Sequence, residues 1–88
     1  MIKIISNETQ LNNLKYEEAK KFVGGDIQLI KLPNGQRMLV DEEAKVKTPR
    51  PTINKEASDI LNKSGKYPLM YDVFGNAIII DKNVKGGW

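Results

Sequence analysis

Apolar positions occur in short bursts along this chain, and the change in their spacing predicts an alternation of strands and helices. Met1 to Ile5 is rich in isoleucine with Lys3 interrupting it, the pattern of a short strand. The asparagines that follow, ending at Asn12-Asn13, offer N-cap oxygens. From Leu14 to Val23 the period changes. Tyr16, Ala19, Phe22 and Val23 recur at spacings of three and four, Glu17 and Glu18 come early and Lys20 and Lys21 late, so a helix with one apolar face is predicted. Gly24-Gly25 stops it, because a left-handed residue after a helix is least costly as glycine.

Asp26 to Leu32 and Gln36 to Asp41 read as two antiparallel strands around Pro33-Asn34-Gly35, where the Asn-Gly pair suits the positive φ values of a tight hairpin. Met38 and Val40 would share one face, Arg37 and Leu39 the other. Lys45-Val46-Lys47 is expected to form a brief strand. Thr48-Pro49-Arg50-Pro51-Thr52 is expected to be a stiff surface connector, since two prolines remove donors and fix φ. A second helix is predicted over Ile53 to Lys63, with Ile53, Ala57, Ile60 and Leu61 forming its core stripe and Gly65 ending it. Leu69 to Phe74 and Ala77 to Asp81 read as two further strands joined at Gly75-Asn76, and residues 83–88 as a flexible tail.

The order implies an α+β fold: a mainly antiparallel sheet of four to five strands with two short helices, in a single domain over 1–88. Two short helices would cover one face only. Ile78-Ile79-Ile80 puts isoleucine on both faces, so a homo-oligomer is expected to cover the second.

Composition narrows the chemistry. The 88 residues include no histidine and no cysteine. Imidazole bases, thiolate nucleophiles, disulfides and zinc sites of the nitrogen/sulfur type are therefore excluded, and no enzymatic activity and no cofactor are expected. The N-terminal apolar run is too short for a signal-peptide core and no apolar run approaches the length of a membrane span, so a cytoplasmic protein with no membrane partner is expected. The net charge of +3 is unevenly spread. Between Lys45 and Lys66, six cations (Lys45, Lys47, Arg50, Lys55, Lys63, Lys66) face only Glu56 and Asp59, a balance of +4 against −1 for the rest of the chain.

Several separated motifs occur in order: Val23-Gly24-Gly25-Asp26-Ile27 with Ile30 and Leu32, then Gly35, Met38 and Val40, then Asp41-Glu42-Glu43-Ala44-Lys45, then Asn54-Lys55-Glu56-Ala57, then Gly75 to Ile78. Together they resemble a small domain family of unknown function found mainly in phages and phage-bearing bacteria. The resemblance spans Lys15 to Asp81 and departs at Ala44, where the family pattern more often has glycine. It implies a mobile-element origin, hence the host cytosol, and no defined activity.

The acids Asp41, Glu42 and Glu43 are adjacent, point alternately and read as solvated turn residues, and no metal site is expected. Gly24-Gly25 leaves a helix C-terminus, the wrong end for a phosphate cradle. Nucleic-acid binding is disfavoured by the scarcity of arginine and the lack of helix-turn-helix or RNA-sheet signatures. Two functions remain. In the first, a non-catalytic phage-type accessory protein sequesters an anionic small molecule, such as a nucleotide defence signal. Arg37 and Arg50 would take phosphates with Lys47 among the ligand-binding residues, Asn54 would add a polar contact, and Tyr67 or Tyr71 would stack on a base. In the alternative, the chain is an interaction module that docks on a host or phage protein through a strand edge or the isoleucine face.

Overall fold

A computed structural model describes residues 1–64 and 72–85. The fold is α+β, with four strands among these residues, β1 (Ile2–Ile5), β2 (Ile27–Lys31), β3 (Arg37–Asp41) and β4 (Ala77–Ile80), and three α-helices, α1 (Glu8–Asn13), α2 (Tyr16–Val23) and α3 (Lys55–Lys63). The strands form one sheet in the order β1-β4-β3-β2. The sheet is mixed. β2 and β4 run antiparallel to β3, whereas β1 runs parallel to β4 with Ile2 opposite Ala77 and Ile5 opposite Ile80. Strands β1, β2 and β4 therefore begin at the end of the sheet where β3 finishes, called here the Asp41 end.

Both faces of the sheet are covered, which corrects the expectation of an open isoleucine face. Ile5, Leu39, Ile78 and Ile80 pack with Leu11, Leu14, Ala19, Val23 and Val84 under α1 and α2. Ile30, Leu32, Met38, Val40, Ala77 and Ile79 pack with Ala57, Leu61 and Val73 under α3. The alternation along β4 feeds two cores, one on each side, because its flanking strands β1 and β3 are both paired to it. The Ile78-Ile79-Ile80 run is thus the signature of a central strand, and it supplies no sticky patch to drive association.

Local departures from the predicted elements have identifiable causes. Helix α1 is additional: Asn7 accepts from the Gln10 amide at 2.9 Å as its N-cap, but Leu11 alone of its residues is buried, so no periodic stripe marks it. On α2, Ala19 and Val23 are buried while Tyr16 is 52% exposed. On α3, Ala57 and Leu61 are buried, and Ile53 lies before the helix with Asn54 as N-cap. Ala44–Val46 is a 3-10 turn, not a strand. The connector after it contains a cis Thr48–Pro49 peptide. Residues 72–74 form no strand beside β4; Phe74 makes a single bridge to Ile53, and Leu69 to Tyr71 and Gly65 lie outside the described residues. The C-terminal segment is anchored at its start, since Val84 is buried in the α1–α2 core and its carbonyl accepts from Arg37.

The β2–β3 turn is a three-residue loop rather than a two-residue one. The Gly35 amide donates to Leu32 O at 3.0 Å and the Leu32 amide to Gln36 O at 2.8 Å. Gly35 alone has positive φ, at 93°, and a Cβ there would lie 3.2 Å from Lys82 Cβ. Gly35→Val is therefore expected to cost about 1 kcal/mol or more. A urea midpoint unchanged from wild type would remove the requirement for glycine in this loop.

Candidate functional site

Of the four described residues proposed for ligand binding, Arg37 stands apart from the other three. Arg37 begins β3 and Asp41 ends it, so Arg37 stands about 13 Å along the strand from the Asp41 end, at ~3.3 Å per residue. Its guanidinium is committed to the Val84 carbonyl. Lys47, Arg50 and Asn54 do lie at the Asp41 end, but two of them are held by the fold. Tyr67 and Tyr71 lie outside the described residues.

Lys47 pairs with Asp41 and donates to Gly24 O at 2.6 Å. It thereby places a cation at the C-terminus of α2, where free carbonyls and the helix dipole are negative. Asp41 is not a solvated turn acid. Its side chain is 1% exposed, and Oδ1 also accepts the Glu43 amide at 3.0 Å. The acid is drawn inward because β3 ends directly beneath the Gly24-Gly25 turn. Gly24, with φ 97°, reverses the chain out of α2. At Gly25 a Cβ would sit 2.8 Å from both Asp41 Oδ1 and Lys47 Nζ. Nearby, Lys20 pairs with Asp26 at 3.2 Å, and that hydrogen-bonded carboxylate raises the lysine above its ordinary pKa.

Asn54 is a second hub of the same end. Its Oδ1 accepts the Ala57 amide at 3.1 Å, capping α3, and its Nδ2 donates to Met1 O at 3.0 Å and Gly75 O at 2.9 Å. Ser58 completes the tie, its Oγ donating to Asn54 O and accepting the Val73 amide at 2.7 Å. Asn76 Nδ2 donates to Phe22 O at 3.0 Å, satisfying a last carbonyl of α2. The Gly-Gly, Asp-Glu-Glu, Asn-x-x-Ala and Gly-Asn motifs thus meet at one end of the sheet, and there they saturate one another's hydrogen bonds. Among the described residues no buried side-chain nitrogen or oxygen lacks a partner.

Space beside the Asp41 carboxylate is small. The cleft beside Val40, Asp41, Lys45 and Phe74 measures about 30 Å³, enough for a few waters, and Glu42 and Asp72 also line it. A nucleotide site normally needs roughly 300 Å³ or more of concave space. Depressions of about that size are more open, among them one lined by Met1, Thr52, Asn54 and Asn76 at the same end of the sheet and one lined by Glu17, Lys20, Lys21, Gly24 and Gly25. Among the described residues no group of acidic side chains could hold a metal ion, and no helix is long and apolar enough to cross a membrane.

Among the described residues several features face outward, the outer edge of β2 with its exposed Leu29 included, and two of them bear on binding. Arg50 stacks over Phe74, with Cζ 5.2 Å from the ring centroid, and its Nε donates to Lys45 O at 3.2 Å. The other is the free edge of β1. In the parallel ladder the Ala77 amide donates to Met1 O and the Asp81 amide to Ile5 O. This phase turns the backbone groups of Met1, Lys3 and Ile5 toward β4 and those of Ile2 and Ile4 away from it. Among the described residues these outward groups meet no other strand, and Ile4 is 58% exposed. The sequence names β1 as a strand but carries no sign that it lies at an edge, because its parallel partner is 75 residues away. Comparison with protein-family models, with curated proteins and with solved structures yields no match.

Proposed function

We propose that the chain is a non-catalytic protein-interaction module that receives an extended segment of a partner on the outer edge of β1. The observation that supports it is the outward backbone of Ile2 and Ile4, paired with no strand among the described residues, beside the exposed Ile4 side chain. Added strands gain affinity from main-chain hydrogen bonds and specificity from alternate side chains, so a four-residue edge suffices without a pocket. On the resemblance to the phage-associated family, the partner would be a host or phage protein met in the host cytosol.

Anion binding is the second reading, and the Arg50–Phe74 stack favours it. The ring and the Lys45 carbonyl orient the guanidinium, whose two terminal nitrogens present a fork suited to phosphate or carboxylate. It ranks second because Arg37, Lys47 and Asn54 are engaged within the fold.

Ile4→Pro separates these readings. The Ile4 amide points away from β4, so proline removes an edge donor without breaking the ladder. Affinity capture with wild type and variant should yield a protein retained by the first and lost with the second, while thermal shift against a nucleotide panel stays silent. Capture indifferent to Ile4→Pro would reject edge docking. A nucleotide-dependent rise in melting temperature lost in Arg50→Ala would hand the function to the anion site.

A further inference from the structure

The β1 edge carries a charge as well as free backbone, and the charge selects its occupant. We infer that the segment docking on β1 carries one acidic residue opposite Lys3, flanked by apolar residues opposite Ile2 and Ile4; this rests on the edge-docking reading above.

Side chains alternate along β1. Ile5 enters the core under α1 and α2, so Lys3 projects on that side; Ile2 packs at the margin of the α3 core, and Ile4 projects on that side into solvent. A strand laid along the edge, in either direction, copies this alternation. Its residues opposite Ile2 and Ile4 fall beside two isoleucines. The residue between them falls beside Lys3, over a depression lined by Asn13, Leu14 and Glu18. Lys3 makes no ion pair with Glu18 or with any other described acid. Directly opposed side chains sit about 5 Å apart, where opposite charges attract and like charges repel. An acid opposite Lys3 is therefore favoured, while Glu18 disfavours a second acid further along the same face.

A second copy of the chain is the poorer occupant. Two β1 edges joined antiparallel through their outward groups, Ile2 against Ile4, would set Lys3 directly against its own counterpart. Shifting the register to pair Ile4 with Ile4 calls on the Ser6 amide, which already donates to Gln10 Oε1 at 2.7 Å. The edge thus refuses itself and admits an apolar–acidic–apolar segment.

The test uses the full chain, labelled with nitrogen-15, and two capped peptides, Ser-Val-Glu-Val-Ser and Ser-Val-Lys-Val-Ser. The glutamate peptide should shift the Ile2 and Ile4 amide resonances and bind about fivefold or more tightly than the lysine peptide, with the order inverted in Lys3→Glu. Equal binding of the two peptides would overturn the acidic preference while leaving edge docking intact. No shift at Ile2 or Ile4 with either peptide at millimolar concentration would overturn both. A concentration-dependent dimer whose Ile2 and Ile4 amides are protected from exchange would show the occupant to be a second copy, and overturn the inference.

Discussion

Asn54→Asp is expected to lower the stability of the chain by about 3 kcal/mol or more, exceeding the loss from Asn54→Ala, although aspartate is an equally good N-cap. The asymmetry follows from what the amide does besides capping. Asn54 is 6% exposed, and its Nδ2 donates to both Met1 O and Gly75 O. Alanine loses the cap, at about 1 kcal/mol, and leaves those carbonyls without this donor, at about 0.5–1.5 kcal/mol each. Aspartate keeps the cap to Ala57 but turns a carboxylate oxygen toward two carbonyl oxygens in a buried site. Asn54→Ser, a neutral cap too short to reach either carbonyl, should fall between alanine and wild type. Urea unfolding of the four proteins decides the matter, provided each unfolds in one transition. If aspartate matches wild type, Asn54 is a helix cap only, and the tie among β1, α3 and the loop before β4 is energetically idle.

The difference between what the chain reveals as a sequence and what it becomes follows from the range of the interactions. Helices α2 and α3 and the β2–β3 hairpin announce themselves because their signals are local: apolar spacing, Gly24-Gly25, and Asn34-Gly35. Sheet order is not local. β1 pairs with β4 across almost the whole chain, so neither the parallel register nor the central position of Ile78-Ile79-Ile80 can be read from periodicity. The same blindness bears on the candidate site. Lys47, Arg50 and Asn54 do gather at one end, as a basic segment suggests, but Asp41 claims Lys47, and Met1 and Gly75 claim Asn54. A sequence shows which side chains are capable of binding; it does not show which of them the fold has already used. The β1 edge is legible only after the strand order is known.

The Asp41–Lys47 pair carries the other large expectation. Lys47→Met should cost about 3 kcal/mol, because it leaves a carboxylate that is 1% exposed with the Glu43 amide as its remaining donor and strips a cation from the end of α2. The value belongs at the lower end for a broken buried pair, since Lys47 itself is about one-third exposed. Removing both charges in Asp41→Ala/Lys47→Met should recover part of the loss, as the uncompensated carboxylate is gone. Gly25 supplies the decisive comparison. In the wild-type background Gly25→Ala pushes a methyl to within 2.8 Å of both charged groups and must displace the pair, an effect expected to cost about 2 kcal/mol. In the Asp41→Ala/Lys47→Met background the space is open, and the same substitution should cost little, because alanine also reduces the entropy of the unfolded chain. A double-mutant cycle on urea-derived free energies reads the coupling directly. Additive costs would mean that Gly25 is required for something other than the approach of this ion pair. Coupling of about 1–2 kcal/mol would show that the Gly-Gly and Asp-Glu-Glu motifs, separated in sequence, are one structural unit held together at the end of α2.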